Sequence, residues 1–207
     1  MHFLALLFGN QVWKMYSLII KWVLRVRGIK VGSNFHIEGR IKLYIRNKPQ
    51  NIKIGNNVYI MGDIELKIRE NGRIEIGNNC KIDKHVRLVA ANNAILSIGS
   101  NTNIGAYCIM NGGDNISIGE NVLIAGFAYI QSSNHGTKKA QAIKTQPHTY
   151  APIDIGDGAW IGGHCVILPG SHIGNGSVIG AHSLVKNIIP DDAIAVGNPA
   201  TVKKYRT

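Results

Sequence analysis

Residues 154–163 read Asp-Ile-Gly-Asp-Gly-Ala-Trp-Ile-Gly-Gly and contain the start of two adjacent copies of a six-residue unit. In each copy an isoleucine is followed by glycine and, three positions after that glycine, by a small residue, Ala159 or Cys165. A period of six matches neither the 3.6-residue period of an amphipathic helix nor the two-residue period of an ordinary strand. The unit occurs nine times, beginning at Ile54, Ile76, Ile98, Ile104, Ile118, Ile155, Ile161, Ile173 and Ile179.

This repeat predicts a solenoid. Hexapeptide repeats are typical of parallel β-helices, in which each unit buries its apolar residue by stacking on the coils above and below. Three units make one triangular coil of about eighteen residues. We expect glycine and asparagine to turn the corners, because both accept positive φ at low cost. Before Ile98 the repeat is weaker, and the stretch 41–51 contains no clean unit.

These units resemble those of the left-handed parallel β-helix acyltransferases, in particular the galactoside, maltose and polysaccharide O-acetyltransferase branch. The resemblance covers roughly residues 31–204 and is most specific at 154–163 and at Ala195-Val196-Gly197-Asn198-Pro199-Ala200. It implies a left-handed coil, against the usual right-handed crossover preference. The predicted fold is therefore an all-β solenoid, a left-handed parallel β-helix with an N-terminal α-helix and an extruded loop.

The composition fits one domain with short additions at its ends. The chain has 207 residues, of which 45% are apolar and 24 are glycine, as suits a turn-rich solenoid. We predict an N-terminal amphipathic helix at 1–30, the β-helix domain at 31–190 with its loop at 131–152, and a C-terminal tail at 191–207.

The three cysteines, Cys80, Cys108 and Cys165, all fall at the small position of a unit. This placement favours buried free thiols over a redox or metal role, and we expect no metal. The odd number and the lack of paired spacing indicate a reducing compartment, so we predict a cytoplasmic protein.

The net charge of +11 raises the question of nucleic-acid binding. The lysines and arginines are spread along the chain, and no nucleic-acid motif or basic groove interleaved with aromatic residues is present, so we expect no nucleic-acid partner. The excess of positive charge is explained better by binding to the phosphates of coenzyme A, to anionic head groups or to a charged glycan than by binding to nucleic acid.

The N-terminal segment from Phe3 to Val26 is apolar with one polar stripe, and Gly28 is placed to cap its helix. Two interpretations remain open. The helix either packs on the open first coil or a neighbouring subunit, or lies on anionic lipid as a peripheral contact through residues 1–27. Its apolar face includes Phe8, Trp13 and Ile20, and its polar stripe consists of Asn10, Lys14, Ser17, Lys21 and Arg25.

The repeat breaks after Ile130, and residues 131–152 form a polar excursion before Ile153 resumes the pattern. Loops extruded from a solenoid commonly form binding surfaces. In the resembled acetyltransferases a loop leaves here, immediately after the catalytic histidine, which maps to His135. An imidazole suits a general base because its pKa lies near working pH. The alternative is a histidine that merely sits on a surface loop.

The resemblance implies further site residues. Trp160 would border the acceptor pocket, and the backbone N–H of Gly163 would hold the developing oxyanion. Galactoside-type enzymes place an asparagine where this chain has Gly105, and Asn111, one hexad on, could take its place at the acceptor. The coenzyme A groove would be formed by Ala125, Gly163, Ala181 and Lys186, with Lys203 and Lys204 at its phosphates.

We therefore expect an acetyl-CoA-dependent O-acetyltransferase that acts on a sugar hydroxyl of a surface polysaccharide, lipopolysaccharide or precursor. The resemblance also implies a homotrimer whose active site lies between two chains. N-acylation of an amino sugar is the alternative within this class.

Two other classes fit the sequence less well. A zinc carbonic anhydrase-like hydratase requires three converging imidazoles, and the chain lacks the His-x-x-x-x-His spacing that would supply one pair. A non-catalytic scaffold would have no need of the His135 excursion or the Trp160 motif. The histidines that such a metal site could draw on include His85, His135, His148, His164, His172 and His182.

Overall fold

The computed structural model describes residues 9–45 and 48–207, which form a left-handed parallel β-helix of about seven turns with one N-terminal helix. The predicted fold class is confirmed. The helix, α1, spans Gln11–Val26; the part of the predicted helix from Phe3 to Phe8 lies outside the described residues.

The strands form three faces of a prism, and each strand pairs in parallel with its equivalent in the next coil, except that the last two strands of face two pair antiparallel. Face one contains β1 (Lys30–Val31), β4 (Ile52–Ile54), β7 (Arg73–Ile76), β10 (Ile95–Ile98), β13 (Ile116–Ile118), β18 (Ile153–Ile155), β21 (His172–Ile173) and β24 (Ile188–Ile189). Face two contains β2 (His36–Ile37), β5 (Tyr59–Ile60), β8 (Lys81–Ile82), β11 (Asn103–Ile104), β14 (Leu123–Ile124), β19 (Trp160–Ile161), β22 (Val178–Ile179), β25 (Ala193–Gly197) and β26 (Ala200–Tyr205).

Face three contains β3 (Ile41–Ile45), β6 (Ile64–Ile68), β9 (Val86–Ala90), β12 (Ile109–Gly112), β15 (Tyr129–Gln131), β20 (Val166–Ile167) and β23 (Leu184–Val185). A separate antiparallel hairpin pairs β16 (Ser133–His135) with β17 (His148–Tyr150). Two short 3₁₀ helices, Pro49–Asn51 and Ile143–Thr145, lie between strands.

The core consists of inward-facing aliphatic columns, one along each face. On face two, for example, Ile104 pairs in register with Ile82 below and Ile124 above, and all three are buried. Each strand is too short to be stable alone, so its burial depends on the neighbouring coils, as in other solenoids.

The corner between faces one and two, the first corner, needs both glycine and asparagine, for different reasons. The glycine after each isoleucine allows close approach: a Cβ on Gly99 would lie 2.4 Å from the backbone of Gly119. Positive φ occurs instead two residues later, at Asn101 and its equivalents. The expectation that these glycines supply positive φ was therefore wrong; their role is the space that a side chain would occupy.

The corner between faces two and three, the second corner, carries a column of aromatic rings at positive φ. Neighbouring rings have centroids 4.6–5.0 Å apart, and most pairs are stacked. Aromatic residues rarely adopt this backbone conformation, and ring contacts between coils offset part of its cost. The column consists of His85, Tyr107, Phe127, His164 and His182.

Differences in coil length occur at the corner between faces three and one, the third corner. Successive inner residues keep the hexad spacing across the first two corners throughout, as in Ile54 to Ile60 and Ile60 to Leu66. Across the third corner the step runs from Leu66 to Ile76 in a lower coil, but only from Ile167 to Ile173 in an upper one. The expected eighteen-residue coils are thus found only in the upper part, because the lower coils have a longer third strand.

Helix α1 covers the open lower edge of the first coil. Ser17 is buried, and its Oγ accepts the N–H of Ile37 at 2.8 Å, while Tyr16 donates to the Gly39 carbonyl. The Arg25 guanidinium donates to the Val31 carbonyl at 2.6 Å. The predicted polar stripe is therefore not exposed along its whole length, because Ser17 pairs with a strand edge that has no coil below it.

The two ends of the prism are closed by local structure. Gly28, at φ +88°, ends α1 with its N–H bonded to the Arg25 carbonyl and the Ile29 N–H bonded to Leu24, which is a Schellman motif and the cap expected from the sequence. At the other end, residues expected to form a tail instead form the β25–β26 hairpin, which continues face two.

The cysteines are free and buried, as the repeat predicts. Each thiol donates to a carbonyl of the next coil at 3.2 Å, and burial raises the pKa of Cys108 to about 11. Among the described residues, no helix has the length and apolar character needed to cross a membrane.

Candidate functional site

The break in the repeat forms a β-hairpin at the third corner. β16 leaves face three directly after β15, pairs antiparallel with β17 and returns the chain to β18. The register places His135 opposite His148, with ring centroids 4.1 Å apart, and both side chains are exposed. The loop thus brings together two imidazoles that are well separated in the sequence.

The tip of this loop is held by one buried amide. Gln146 is 5% exposed, its Oε1 accepts the N–H of Lys138 at 2.7 Å, and its Nε2 donates to the carbonyls of Lys138 and Gln141. Because buried polar groups that are fully bonded fix local conformation, Gln146 orders the segment between the two hairpin strands.

A cleft of about 420 Å³ lies on face three at the base of the hairpin. His148 and Tyr150 form part of its wall, whereas His135 is adjacent to His148 and not part of the lining. The other lining residues come from β6, β9, β12, β15, the start of β16 and adjoining turns: Lys67, Arg69, Glu70, Arg87, Val89, Asn92, Asn111, Gly112, Gly113, Gln131 and Ser133.

Polar side chains are connected across the upper part of the cleft. Asn111 Nδ2 donates to the Tyr129 hydroxyl at 3.2 Å, that hydroxyl donates to Gln131, and Gln131 Nε2 donates to the Ser133 carbonyl at 2.6 Å. This chain of bonds leads from face three to the first residue of the hairpin. Asn111, predicted to contact the acceptor, therefore lies in the same cleft as His148.

The remaining predicted residues lie elsewhere on the prism. Trp160 is on the outside of face two, in line with Val178, Ile194 and Lys204. Lys186 follows β23 and stands at the upper end of the face-three column that contains Asn111 and Gln131. The other residues predicted for the cofactor groove or the oxyanion lie at different edges: Ala125, Gly163 and Ala181 at the second corner, and Lys203 on β26.

One chain does not assemble these groups into a single site. His135 lies at the third corner, whereas Gly163 and its neighbours lie at the second corner, across the width of face three. The Gly163 N–H donates to no acceptor in the described ranges and is available to an oxyanion, but Gly126 and Ala181 in the same column are equally available.

The four other histidines considered for a metal site lie away from the hairpin. His85, His164 and His182 belong to the aromatic column, and His172 lies on the outside of face one. Within residues 9–45 and 48–207, no group of three or more His, Cys, Asp or Glu side chains is arranged to hold a metal ion.

Two family profiles match the repeat-rich parts of the chain. Residues 95–130 match the hexapeptide repeat of succinyl-transferase, and residues 152–187 match the bacterial transferase hexapeptide. The chain thus contains hexapeptide repeats similar to those of bacterial acyltransferases. The two matched segments lie on either side of the hairpin. They include the coils from which the hairpin extends but not the loop that carries His135 and His148.

Similarity to curated relatives is limited to part of each chain. The putative lipopolysaccharide biosynthesis O-acetyl transferase WbbJ of Escherichia coli K12 is 35% identical over 101 residues, which is 44% of this chain and 52% of that protein. Galactoside O-acetyltransferase of the same strain is 40% identical over 87 residues, 42% of each chain. This chain thus spans about half the length of the curated relatives it matches.

Solved structures extend the similarity to most of the fold. AntD, an N-acyltransferase from Bacillus cereus, in complex with dTDP and 3-hydroxybutyryl-CoA, superimposes with a TM-score of 0.61 at 24% identity. The superposition covers 90% of this chain and 88% of that chain. At this identity the comparison shows the shared fold alone.

Several cleft residues were not identified from the sequence. His148 and Tyr150 lie inside the polar excursion, and only their antiparallel pairing with residues 133–135 brings them to the cleft. Lys67, Arg69 and Arg87 lie in coils where the hexad repeat is weak. The only signal for them was the basic character of strands whose alternate residues are buried.

Proposed function

We propose that this protein is an acetyl-CoA-dependent O-acetyltransferase that acts on a sugar hydroxyl of a surface polysaccharide, lipopolysaccharide or precursor. The observation that carries the proposal is the β16–β17 hairpin, which holds His135 and His148 side by side above a polar cleft. The partial matches to two O-acetyltransferases support the choice of oxygen as the acceptor atom.

His135 acts as the general base in this proposal. Its imidazole takes the proton from the acceptor hydroxyl as that oxygen attacks the thioester carbonyl, and the resulting tetrahedral intermediate carries an oxyanion. A backbone N–H such as that of Gly163 stabilises the oxyanion. The intermediate then collapses to the acetyl ester, and the imidazolium returns its proton to the departing thiolate.

The site is shared between chains in a homotrimer. The proposal rests on the separation described above: His135 and the second corner lie on opposite edges of face three, so a neighbouring prism is needed to bring them together. Large apolar side chains near that corner are 43–51% exposed and provide a surface for the contact: Tyr107, Leu123, Phe127 and Trp160. Light scattering should give the mass of three chains.

The first test is acetyl release and transfer with His135→Ala, His148→Ala and a matched control, His172→Ala, on the outside of face one. His135→Ala should lower the transfer rate by a factor on the order of 10² to 10⁴ while coenzyme A still binds, and His172→Ala should be unaffected. Near wild-type turnover of His135→Ala would remove this residue from the mechanism. The product's response to hydroxylamine distinguishes an ester from the amide that N-acylation would leave.

We also propose that α1 holds the enzyme at the cytoplasmic face of an anionic membrane. Its inner face packs on the first coil and includes Trp13 and Ile20, so the expectation that these two side chains meet the membrane was wrong. A second apolar face points outward, with side chains 58–69% exposed. Lys14 and Lys21 lie along one edge of that face, which is the arrangement of an interfacial helix, whereas Arg25 on the same edge donates to the Val31 carbonyl of the first coil. The outward residues are Met15, Leu18, Ile19, Trp22 and Val26.

Point substitutions test this contact, because removing residues 1–27 would also remove Trp13 and Leu24 from the core. Wild-type protein should sediment with vesicles of phosphatidylcholine and phosphatidylglycerol and less with phosphatidylcholine alone. Leu18→Ser/Trp22→Ser should abolish sedimentation, and Ile188→Ser/Val202→Ser, at the other end of the prism, should not. If wild type ignores anionic vesicles, or if the helix variant changes only the oligomeric mass, the membrane proposal is wrong.

A further inference from the structure

We infer that the lower part of the face-three cleft binds an acidic group, a phosphate or carboxylate, carried by the acceptor sugar. This inference rests on the proposed function in placing the acceptor in this cleft. It adds a substrate class, since a neutral sugar would make no use of the charges described below.

The cleft contains more positive than negative charge. Lys67, Arg69 and Arg87 line it together with one carboxylate, Glu70, whose Oε2 already accepts the Asn92 N–H at 2.9 Å. Arg87 is paired with Glu65 through an Nε–Oε1 contact of 2.8 Å. Over the described ranges neither Lys67 nor Arg69 has a carboxylate within ion-pair distance. Lys67 Nζ lies over the ring of Tyr44 on β3, 5.9 Å from its centroid, and this contact leaves the charge without an anionic partner. Both cations are therefore available to an anionic ligand.

The two available cations are placed to act together. They are two residues apart at the end of β6, so their side chains leave the same side of the sheet about 7 Å apart. Lysine supplies a point charge and arginine a fork of donors, a combination suited to phosphate or carboxylate oxygens.

The distance from Lys67 to the hairpin matches the length of one or two sugar rings. Lys67 pairs in register with Val89, Val89 with Asn111, and Asn111 with Gln131. At about 4.8 Å per strand, the amide of Asn111 lies roughly 10 Å and that of Gln131 roughly 14 Å from the strand that carries Lys67. One or two sugar rings fill this interval, with the acidic group at the lysine and a hydroxyl near the imidazoles.

The upper part of the same face does not offer such a site. The outward positions above the hairpin are Val166, Leu168 and Leu184, with Lys186 alone at the top. The concentration of cations below the hairpin is therefore a local feature of the cleft and not a property of the whole face.

Binding and kinetics of Lys67→Gln/Arg69→Gln test the inference. The matched control, Lys81→Gln/Arg73→Gln, removes the same charge from exposed positions on faces two and one. Binding of glucose 1-phosphate, glucuronate and glucose is measured by calorimetry without acyl donor. Glucose 1-phosphate or glucuronate should bind the wild type about 10- to 100-fold more tightly than glucose, and the cleft variant, but not the control, should lose this preference.

The two acidic probes identify the group, and the binding arm separates this inference from the proposed function. Tight phosphate binding points to glycosyl phosphates or nucleotide sugars, and tight uronate binding to an acidic glycan. In transfer assays the cleft variant should raise KM for the acidic acceptor by a similar factor with kcat unchanged. Equal binding of all three probes, or equal losses in the two variants, would overturn the inference even if transfer to neutral sugars is observed. If the wild type binds the acidic probes as expected but transfers no acetyl group to any acceptor, only the proposed function is contradicted.

Discussion

The lower and upper coils share the same inner columns but differ at the third corner. In a lower coil the chain passes from Leu66 to Ile76 through a five-residue third strand, β6, whereas in an upper coil it passes from Ile167 to Ile173 after a two-residue strand, β20. The longer strands widen face three and provide extra outward positions. Lys67 and the cleft lie on this wider part, and the strict hexads lie above it.

In the proposed function this difference separates two tasks along the prism. The pantetheine arm lies against the second corner of the upper coils, beside the small residues Ala125, Gly163 and Ala181, each of which precedes a ring of the aromatic column by one or two positions. The lower coils offer a broad polar surface for an acceptor. The hairpin that carries His135 extends from the prism between the lower and the upper coils. The third-corner step is longest there, from Ile130 to Ile155.

The largest expected effect on stability comes from the glycine of the first corner. Gly99→Val would place a Cβ 2.4 Å from the Gly119 backbone and should cost at least about 3 kcal/mol of unfolding free energy. Gly158→Asn is the matched control in the upper coils, because Gly158 has open space around it and its lower counterparts, such as Asn101, are asparagine. Denaturant unfolding measures both, and equal costs would contradict the close-approach account.

The next largest expected effect on stability concerns Cys108, which occupies the small position of a repeat unit in the middle of the prism. Burial raises the pKa of Cys108 from 9.0 to about 11, so the folded state retains this proton at pH values where the unfolded thiol has lost it. The resulting stability is present below pH 9 and is lost as the pH rises towards 11, by about 2–3 kcal/mol. Unfolding of wild type and Cys108→Ala across this range should show the difference shrinking; a constant difference would mean that the thiol is not shielded.

The smallest effect tests how the lower edge is closed. Ser17→Ala leaves the Ile37 N–H without its partner in a buried position and should cost about 1–2 kcal/mol. Ser117→Ala, on the outside of face one, should change stability by less than about 0.5 kcal/mol. If both substitutions cost the same, α1 does not stabilise the first coil through this hydroxyl.

The sequence predicted the architecture because the aliphatic and small positions recur in register. Ile98 to Met110, Ile118 to Ile130 and Ile155 to Ile179 follow the six-residue period, and that period alone implies stacked coils. It could not predict the third corner, where polar turns of different length separate equally apolar strands. The stretch 41–51 looked irregular because β3 is a five-residue strand and a 3₁₀ helix, Pro49–Asn51, precedes β4.

The candidate site was predicted only in part, and for the same reason. His135 and Asn111 were found by resemblance, but nothing in the sequence indicates that His148 would pair with His135, because the excursion has no repeat from which a register could be read. The aromatic column at the second corner was also missed. Positive φ is ordinarily the signature of glycine or asparagine, and only stacking between coils makes rings such as Phe127 acceptable there.

The central claim is that the hairpin of one chain acts with the second corner of its neighbour, and mixed trimers test it most directly. His135→Ala removes the base, and Ala181→Trp fills the groove, so each variant alone should be inactive. Chains of the two variants are unfolded, mixed in equal amounts and refolded together, and acetyl transfer is then measured. A shared site in a trimer predicts recovery of about one quarter of the wild-type activity, since a random assembly pairs an intact hairpin with an intact groove at that frequency. Activity that stays at the sum of the two inactive variants would show that each site lies within one chain, and would contradict the account.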